Sequence, residues 1–215
     1  MKIKKHNWTT FIISGDNITI ITDPQELNKS GLSFAKTKAD VVLFSDPKLQ
    51  MHTDILKKEG LEKKVVPDKR EKVIEISSPG EFEVGGLMIR RPLKKNFYLI
   101  DEQNLRVMYM GLAGKDFNPK DVEDVGDVDV LIAPIGNGDK FLDYETLEKV
   151  FSEVDPQILI PCGLKEDGAK LGKELKSRED FITHFGFSNV SDESYITVKP
   201  RTKEKEETPM EVIFL

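Results

Sequence analysis

The chain has 215 residues, 38% hydrophobic and 33% charged, enough apolar material for one sizeable core and for a single domain over 1–215. A net charge of −6, with lysine-rich stretches such as LKKEGLEKKVVPDKREK interleaved with acids, argues against a nucleic-acid partner. No apolar run reaches the roughly 18 to 20 residues of a membrane helix, no secretory signal opens the chain, and the lone Cys162 rules out an internal disulfide, so a cytoplasmic location away from membranes is expected.

TTFIIS and ITIITD flank GDN, whose residues tolerate the positive φ of a tight turn, and this predicts a β-hairpin. ADVVLFS reads as a buried strand, and Met51, Ile55 and Leu56 in MHTDILKKEG suit a short helix. Strand signals return in KVIEIS, GEFEV, GLMIRRP, NFYLID and LRVMYMG, punctuated by Gly80, Gly85, Gly86, Pro79 and Pro92. DVDVLIAPIG is a continuous apolar run, as expected of a strand covered on both faces. Gly136 and Gly138 then predict a turn, and DYETLEKVFSEV carries Leu147, Val150, Phe151 and Val154 at helical spacing. Asp143 is a candidate N-cap there, and Glu145 and Glu148 suit the start of a helix. QILIPCG is a second buried strand, and LKEDGAKLGKELKS is expected to form another amphipathic helix. YITVK and MEVIFL close the chain, joined by the charged connector PRTKEKEETP, which reads as a loop. Strand-rich segments with helices added late predict an α/β protein of packed sheets with helices outside.

Four colinear segments carry a resemblance. MKIKKHNWTTFIISGDNITIITDP, SSPGEFEVGG, LRVMYMGLAGK and DVDVLIAPIGNGDKFLDYETLEKVFSEVDPQILIPCG resemble successive parts of the metallo-β-lactamase superfamily, in particular its lactonase-like branch. The order and spacing agree across about residues 1 to 165. The resemblance implies a four-layer αββα sandwich of two similar halves, with a metal site at one edge between the sheets.

Members of that family hold one or two zinc ions through a His-x-His-x-Asp-His loop, a further histidine, a bridging aspartate and a last histidine. Borderline zinc needs imidazoles and carboxylate oxygen to bind and activate water. Laid on this sequence, the loop falls on 45–51, where Asp46 and Lys48 replace the paired histidines, Gln50 the aspartate and Met51 the next histidine. The bridging aspartate falls on Leu112, the last histidine on Gly163, and an early histidine on Trp8. Only His6, His52 and His184 occur, none between 53 and 183, so no shift of register restores the set. A protonated lysine at position 48 has no lone pair for a metal and repels a dication. The resemblance is therefore to a degenerate member without the metal-ligand motif, and neither a metal nor a cofactor is expected.

Asp46, Lys48 and Gln50 are candidates for a new polar site, but are expected rather to satisfy one another in the emptied cleft, with an Asp46–Lys48 pair as one solution, and Trp8 to plug it. Lys115, just past the missing bridging aspartate, reads as a solvated loop lysine that could otherwise face an anionic ligand. Cys162 reads as a buried inert thiol, and His52 as a lone histidine on the short helix without a catalytic role, with an acid or base near the loop as the alternative. GLAGK lacks the spacing of a phosphate loop. The leading functional reading is a non-catalytic, zinc-free member of the fold that binds or interacts, through an unknown protein partner or by self-association along a sheet edge or through MEVIFL. The alternative is a hydrolase of a small phosphorylated or lactone-like substrate, without metal or with one held by carboxylates such as Asp23, Asp46 and Asp116.

Overall fold

The computed structural model describes residues 1–137, 140–170, 174–199 and 209–215. The chain runs β1 (Lys2–Asn7), β2 (Thr10–Ser14), β3 (Thr19–Thr22), α1 (Pro24–Ser30), β4 (Thr37–Lys38), β5 (Val41–Leu43), α2 (Ile55–Lys58), β6 (Val65–Val66) and β7 (Ile74–Ile76). A meander follows: β8 (Gly80–Val84), β9 (Leu87–Arg91), β10 (Tyr98–Glu102) and β11 (Leu105–Tyr109). Then come β12 (Val130–Pro134), α3 (Tyr144–Val154), β13 (Ile158–Cys162), α4 (Arg178–Phe185), β14 (Val190–Asp192), β15 (Ile196–Thr197) and β16 (Glu211–Phe214). A six-stranded sheet has the order β15-β1-β2-β3-β5-β7, an eight-stranded sheet the order β14-β16-β13-β12-β11-β10-β9-β8, and β4 pairs with β6.

Side-chain alternation along the strands assigns the layers. Ile20, Val41 and Leu43 of the first sheet and Ile100, Val107, Tyr109, Ile132 and Ile160 of the second meet in one buried cluster between the sheets. Their neighbours point the other way: Ile21, Val42 and Phe44 pack beneath Ile55 and Leu56 of α2. Leu99, Met108, Leu131 and Leu159 pack beneath Leu147, Val150 and Val154 of α3 and Phe181 of α4. Helices therefore cover the outer face of each sheet, and the architecture is the αββα sandwich of the metallo-β-lactamase fold, as the resemblance implied. Among the described residues no helix is long and apolar enough to cross a membrane.

Local departures from expectation have local causes. The segment 164–177 forms no helix among its described residues; 171–173, including Gly172, lie outside them. Gly168 takes φ +81°, Lys165 N–H donates to Lys176 O at 3.0 Å, and Lys170 N–H donates to Ser30 O at 2.8 Å, which holds residues 164–170 in a non-helical path against the end of α1. The helix forms next, at α4, because Ser177 and Asp180 close a reciprocal capping box. Met51 lies outside α2, at φ 62° and 76% exposed. The connector PRTKEKEETP, save its last residue, and Gly138 lie outside the described residues.

Candidate functional site

Parallel pairing of β3 with β5 and of β11, β12 and β13 with one another fixes where each strand ends. The residues just past β3, β5, β11 and β13, together with the turn at Trp8 between β1 and β2, meet at one edge of the sandwich. At the floor lies Asp23, wholly buried and at φ 40°, the residue that starts α1. Its Oδ1 accepts from Ser45 N–H at 2.7 Å and from Gln25 Nε2 at 3.1 Å. Its Oδ2 lies 2.5 Å from Ser45 Oγ and 2.6 Å from the Tyr109 hydroxyl. Ser45 Oγ in turn accepts from Leu112 N–H at 3.0 Å, which ties the loop after β11 to the loop after β5. Gly111, at φ +54°, makes that approach possible, because a Cβ there would stand 2.1 Å from Ser45 Oγ. Burial pushes the Asp23 carboxyl above its ordinary range against the opposing hydrogen bonds of Ser45, Tyr109 and Gln25, and burial and Asp23 together push the Tyr109 hydroxyl well up.

Behind the same edge sits a buried cation. Arg91 is 1% exposed; its guanidinium donates to Phe44 O at 2.9 Å, to Ser45 O at 3.2 Å and to Ser77 O. The Tyr98 hydroxyl lies 2.8 Å from Phe44 O and 2.9 Å from Ile76 O, so β9 and β10 of the second sheet hold the ends of β5 and β7 of the first.

Above the floor, the cleft is filled. Trp8 is fully buried, donates from its indole Nε1 to Leu164 O at 3.0 Å, and packs at 5.7 Å on Phe141. Leu27 and Leu175 complete this apolar cluster, with Leu112 partly buried against it. Gly163 lies under the Phe141 ring, where a Cβ would come within 2.7 Å of a ring carbon. A chain of charges closes the top. Lys140 Nζ sits 4.7 Å from the centre of the Trp8 ring and pairs with buried Glu26 at 3.0 Å. Glu26 also pairs with Lys29 at 3.1 Å, and Lys29 reaches Asp46 at 3.8 Å.

Of the positions marked by sequence, Trp8, Leu112 and Gly163 therefore converge, and Asp46 stands at the rim. The others do not join them. Asp46 Oδ1 accepts from Lys48 backbone N–H at 2.9 Å, capping the turn Pro47–Leu49, while its charge faces Lys29, so the expected Asp46–Lys48 ion pair is replaced by a cap and a different lysine. Gln50 closes the same turn through its backbone N–H to Pro47 O, and Lys48, Met51 and Lys115 are exposed. Cys162 is buried, and burial drives its thiol far above the usual range, which leaves an inert side chain. His52 is exposed. His6 lies 3.5 Å from Thr37 Oγ1 and against the Phe34 ring, and His184 lies 3.6 Å from Glu148 beside Tyr144.

These residues do not fit a zinc ion. Asp23 is fully engaged by four hydrogen-bonding partners, Asp46 turns to Lys29, Asp116 is exposed, and a buried indole packs at the strand ends. Among the described residues no group of three or more His, Cys, Asp and Glu side chains is placed to hold a metal. Sequence reasoning passed over Ser45, Gln25, Glu26, Lys29, Tyr109, Lys140 and Phe141. Ser45 and Tyr109 meet Asp23 across 22 and 86 residues of chain and Lys140 meets Glu26 across 114, separations that leave no local spacing to read.

A sequence model of the beta-lactamase superfamily domain matches residues 2–163. No curated protein matches the chain. Among solved structures, a protein from Thermotoga maritima assigned to the Zn-dependent hydrolases of the metallo-beta-lactamase superfamily is similar at 22% identity and a TM-score of 0.71, covering 100% of this chain and 98% of that one. The isothiocyanate hydrolase from Delia radicum gut bacteria is similar at 10% identity and TM-score 0.58, with 86% and 91% coverage. The metallo-beta-lactamase fold protein YhfI from Bacillus subtilis is similar at 12% identity and TM-score 0.52, with 77% and 86% coverage.

Proposed function

The chain belongs to the beta-lactamase superfamily, and from that premise we propose that it is a zinc-free, non-catalytic member that works by binding a partner. The observation that carries this reading is Trp8: a fully buried indole, hydrogen-bonded to Leu164 O and packed on Phe141, stands where the strand ends would otherwise surround a reacting group. A reaction needs space for substrate within hydrogen-bond reach of an acid, base or nucleophile, and Asp23, Ser45 and Tyr109 are wholly buried with their polar atoms committed to one another. The loop that carries ligands in the family is turned outward here as Asp46–Met51, with Lys48 and Met51 exposed, and offers a surface instead of a pocket.

The rival reading, a hydrolase of a small substrate, draws its support from the names of the two similar hydrolases. Metal content and turnover separate the two. The purified full chain, equilibrated with excess zinc or manganese and desalted, is expected to retain far less than one metal per chain and to leave lactone, phosphoester and isothiocyanate substrates unchanged. Equimolar retained metal, or turnover abolished by chelation, overturns the proposal.

A further inference from the structure

We infer that Asp23 is a neutral carboxylic acid in the folded protein, the central link of a hydrogen-bond chain Ser45–Asp23–Tyr109–Thr9, and that its ionisation as pH is raised releases the floor of the closed cleft. This goes beyond the binding role and does not depend on it.

Counting hydrogens carries the inference. Ser45 Oγ accepts the Leu112 N–H, so its one hydrogen points at its other partner, Asp23 Oδ2, 2.5 Å away. The Tyr109 hydroxyl has one hydrogen to give and two acceptors in range, Thr9 O at 3.0 Å and Asp23 Oδ2 at 2.6 Å, while the Thr22 hydroxyl beside it can only add a donor. If Asp23 is ionised, Tyr109 gives its hydrogen to the carboxylate, and the contact with Thr9 O is left as two facing lone pairs. With a proton on Oδ2, each contact holds one hydrogen: Ser45 to Asp23, Asp23 to Tyr109, Tyr109 to Thr9 O. Oδ1 meanwhile keeps its two N–H donors in either state.

Among the described residues no opposite charge compensates an anion there. On α1, Gln25 is neutral and Glu26 turns to Lys29 and Lys140. From β2, β3 and their flanks come Thr9, Thr10 and Thr22, which are hydroxyls. Past β5, Asp46 faces Lys29. On β9, Arg91 directs its guanidinium to the Phe44, Ser45 and Ser77 carbonyls, on the far side of the Ser45 peptide. Tyr98 on β10 and Cys162 on β13 are held protonated by burial. Burial raises Asp23 in the same sense as the geometry.

A carboxyl whose folded value lies above its unfolded one adds stability that is complete below about pH 3.9 and is lost as pH rises through the folded value. The full chain labelled with ¹³C at aspartate carboxyls is the probe. One resonance is expected at the protonated position at about pH 7, where an ordinary aspartate is ionised, and it should be absent from Asp23→Asn. Tyr109→Phe, which removes one link and leaves the carboxyl, should move that resonance's titration, and this assigns it even should Asp23→Asn fail to fold. Urea midpoints of the parent chain should fall with rising pH more steeply than those of Asp23→Asn. Aspartates that all titrate near the ordinary value, or an upshifted one indifferent to Tyr109→Phe, overturn the inference.

Discussion

Trp8 does at one position what several polar ligands would do together. It fills volume, keeps its only polar atom paired with Leu164 O, and sits under Lys140, whose charge meets the ring face and Glu26. Removing it leaves a cavity lined by Leu27, Phe141 and Leu175, orphans the Leu164 carbonyl, and takes the platform from beneath Lys140. Trp8→Ala is therefore expected to cost about 3–5 kcal/mol in urea unfolding, the range for aromatic truncation in a core. The same variant should gain no affinity for zinc, because opening space supplies no imidazole. A variant as stable as the parent would mean that the neighbours close the gap, and that the indole is not what holds the cleft shut.

At the scale of elements, caps decide where helices begin more than period does. Asp143 precedes α3 and accepts from Thr146 N–H at 2.7 Å, as its position in the sequence implied. Hydrogen bonds from the Thr146 side chain and backbone hold its carboxyl below the ordinary range. The sign of the linkage is opposite to that of Asp23: a depressed carboxyl adds stability above its unfolded value that is lost as pH falls through the folded one. Asp143→Ala should lower stability by about 1 kcal/mol at neutral pH, a typical cap cost, and by less as the solution is acidified. Denaturant midpoints at several pH values check both parts, and a deficit that grows in acid would contradict them. Residues 164–170 teach the converse, since the apolar spacing of LKEDGAKLGKELKS suits a helix while the turn at Gly168 and the backbone bonds from Lys165 to Lys176 and from Lys170 to Ser30 keep these residues out of one.

Over the whole molecule, what could be read in advance was what repeats along the chain. Apolar runs in ITIITD, ADVVLF and LRVMYM, bounded by turn residues, placed the strands, and the replaced ligands and three histidines shaped the expectation for the edge site. Partners brought together by folding were not legible: Glu26 with Lys140, Asp23 with Tyr109, and Arg91 with the ends of β5 and β7 depend on sheet order, which no window of sequence contains. Sheet order also bears on self-association. The MEVIFL strand, β16, lies between β13 and β14, so it offers no free edge. The edges that remain are poor templates for a second copy. β15 has two residues, β14 and β7 have three each, and β8 presents exposed Glu81 and Glu83, with Glu81 paired to Arg90 of β9 at 3.6 Å. Short strands and charged side chains block edge-to-edge pairing, since two copies of β8 would bring like charges together. Light scattering on the full chain is therefore expected to give a monomer of 24.4 kDa across accessible concentrations. A dimer that dissociates when Phe82 of β8 is changed to Lys would place the edge in an interface and would turn the binding role proposed here toward self-recognition.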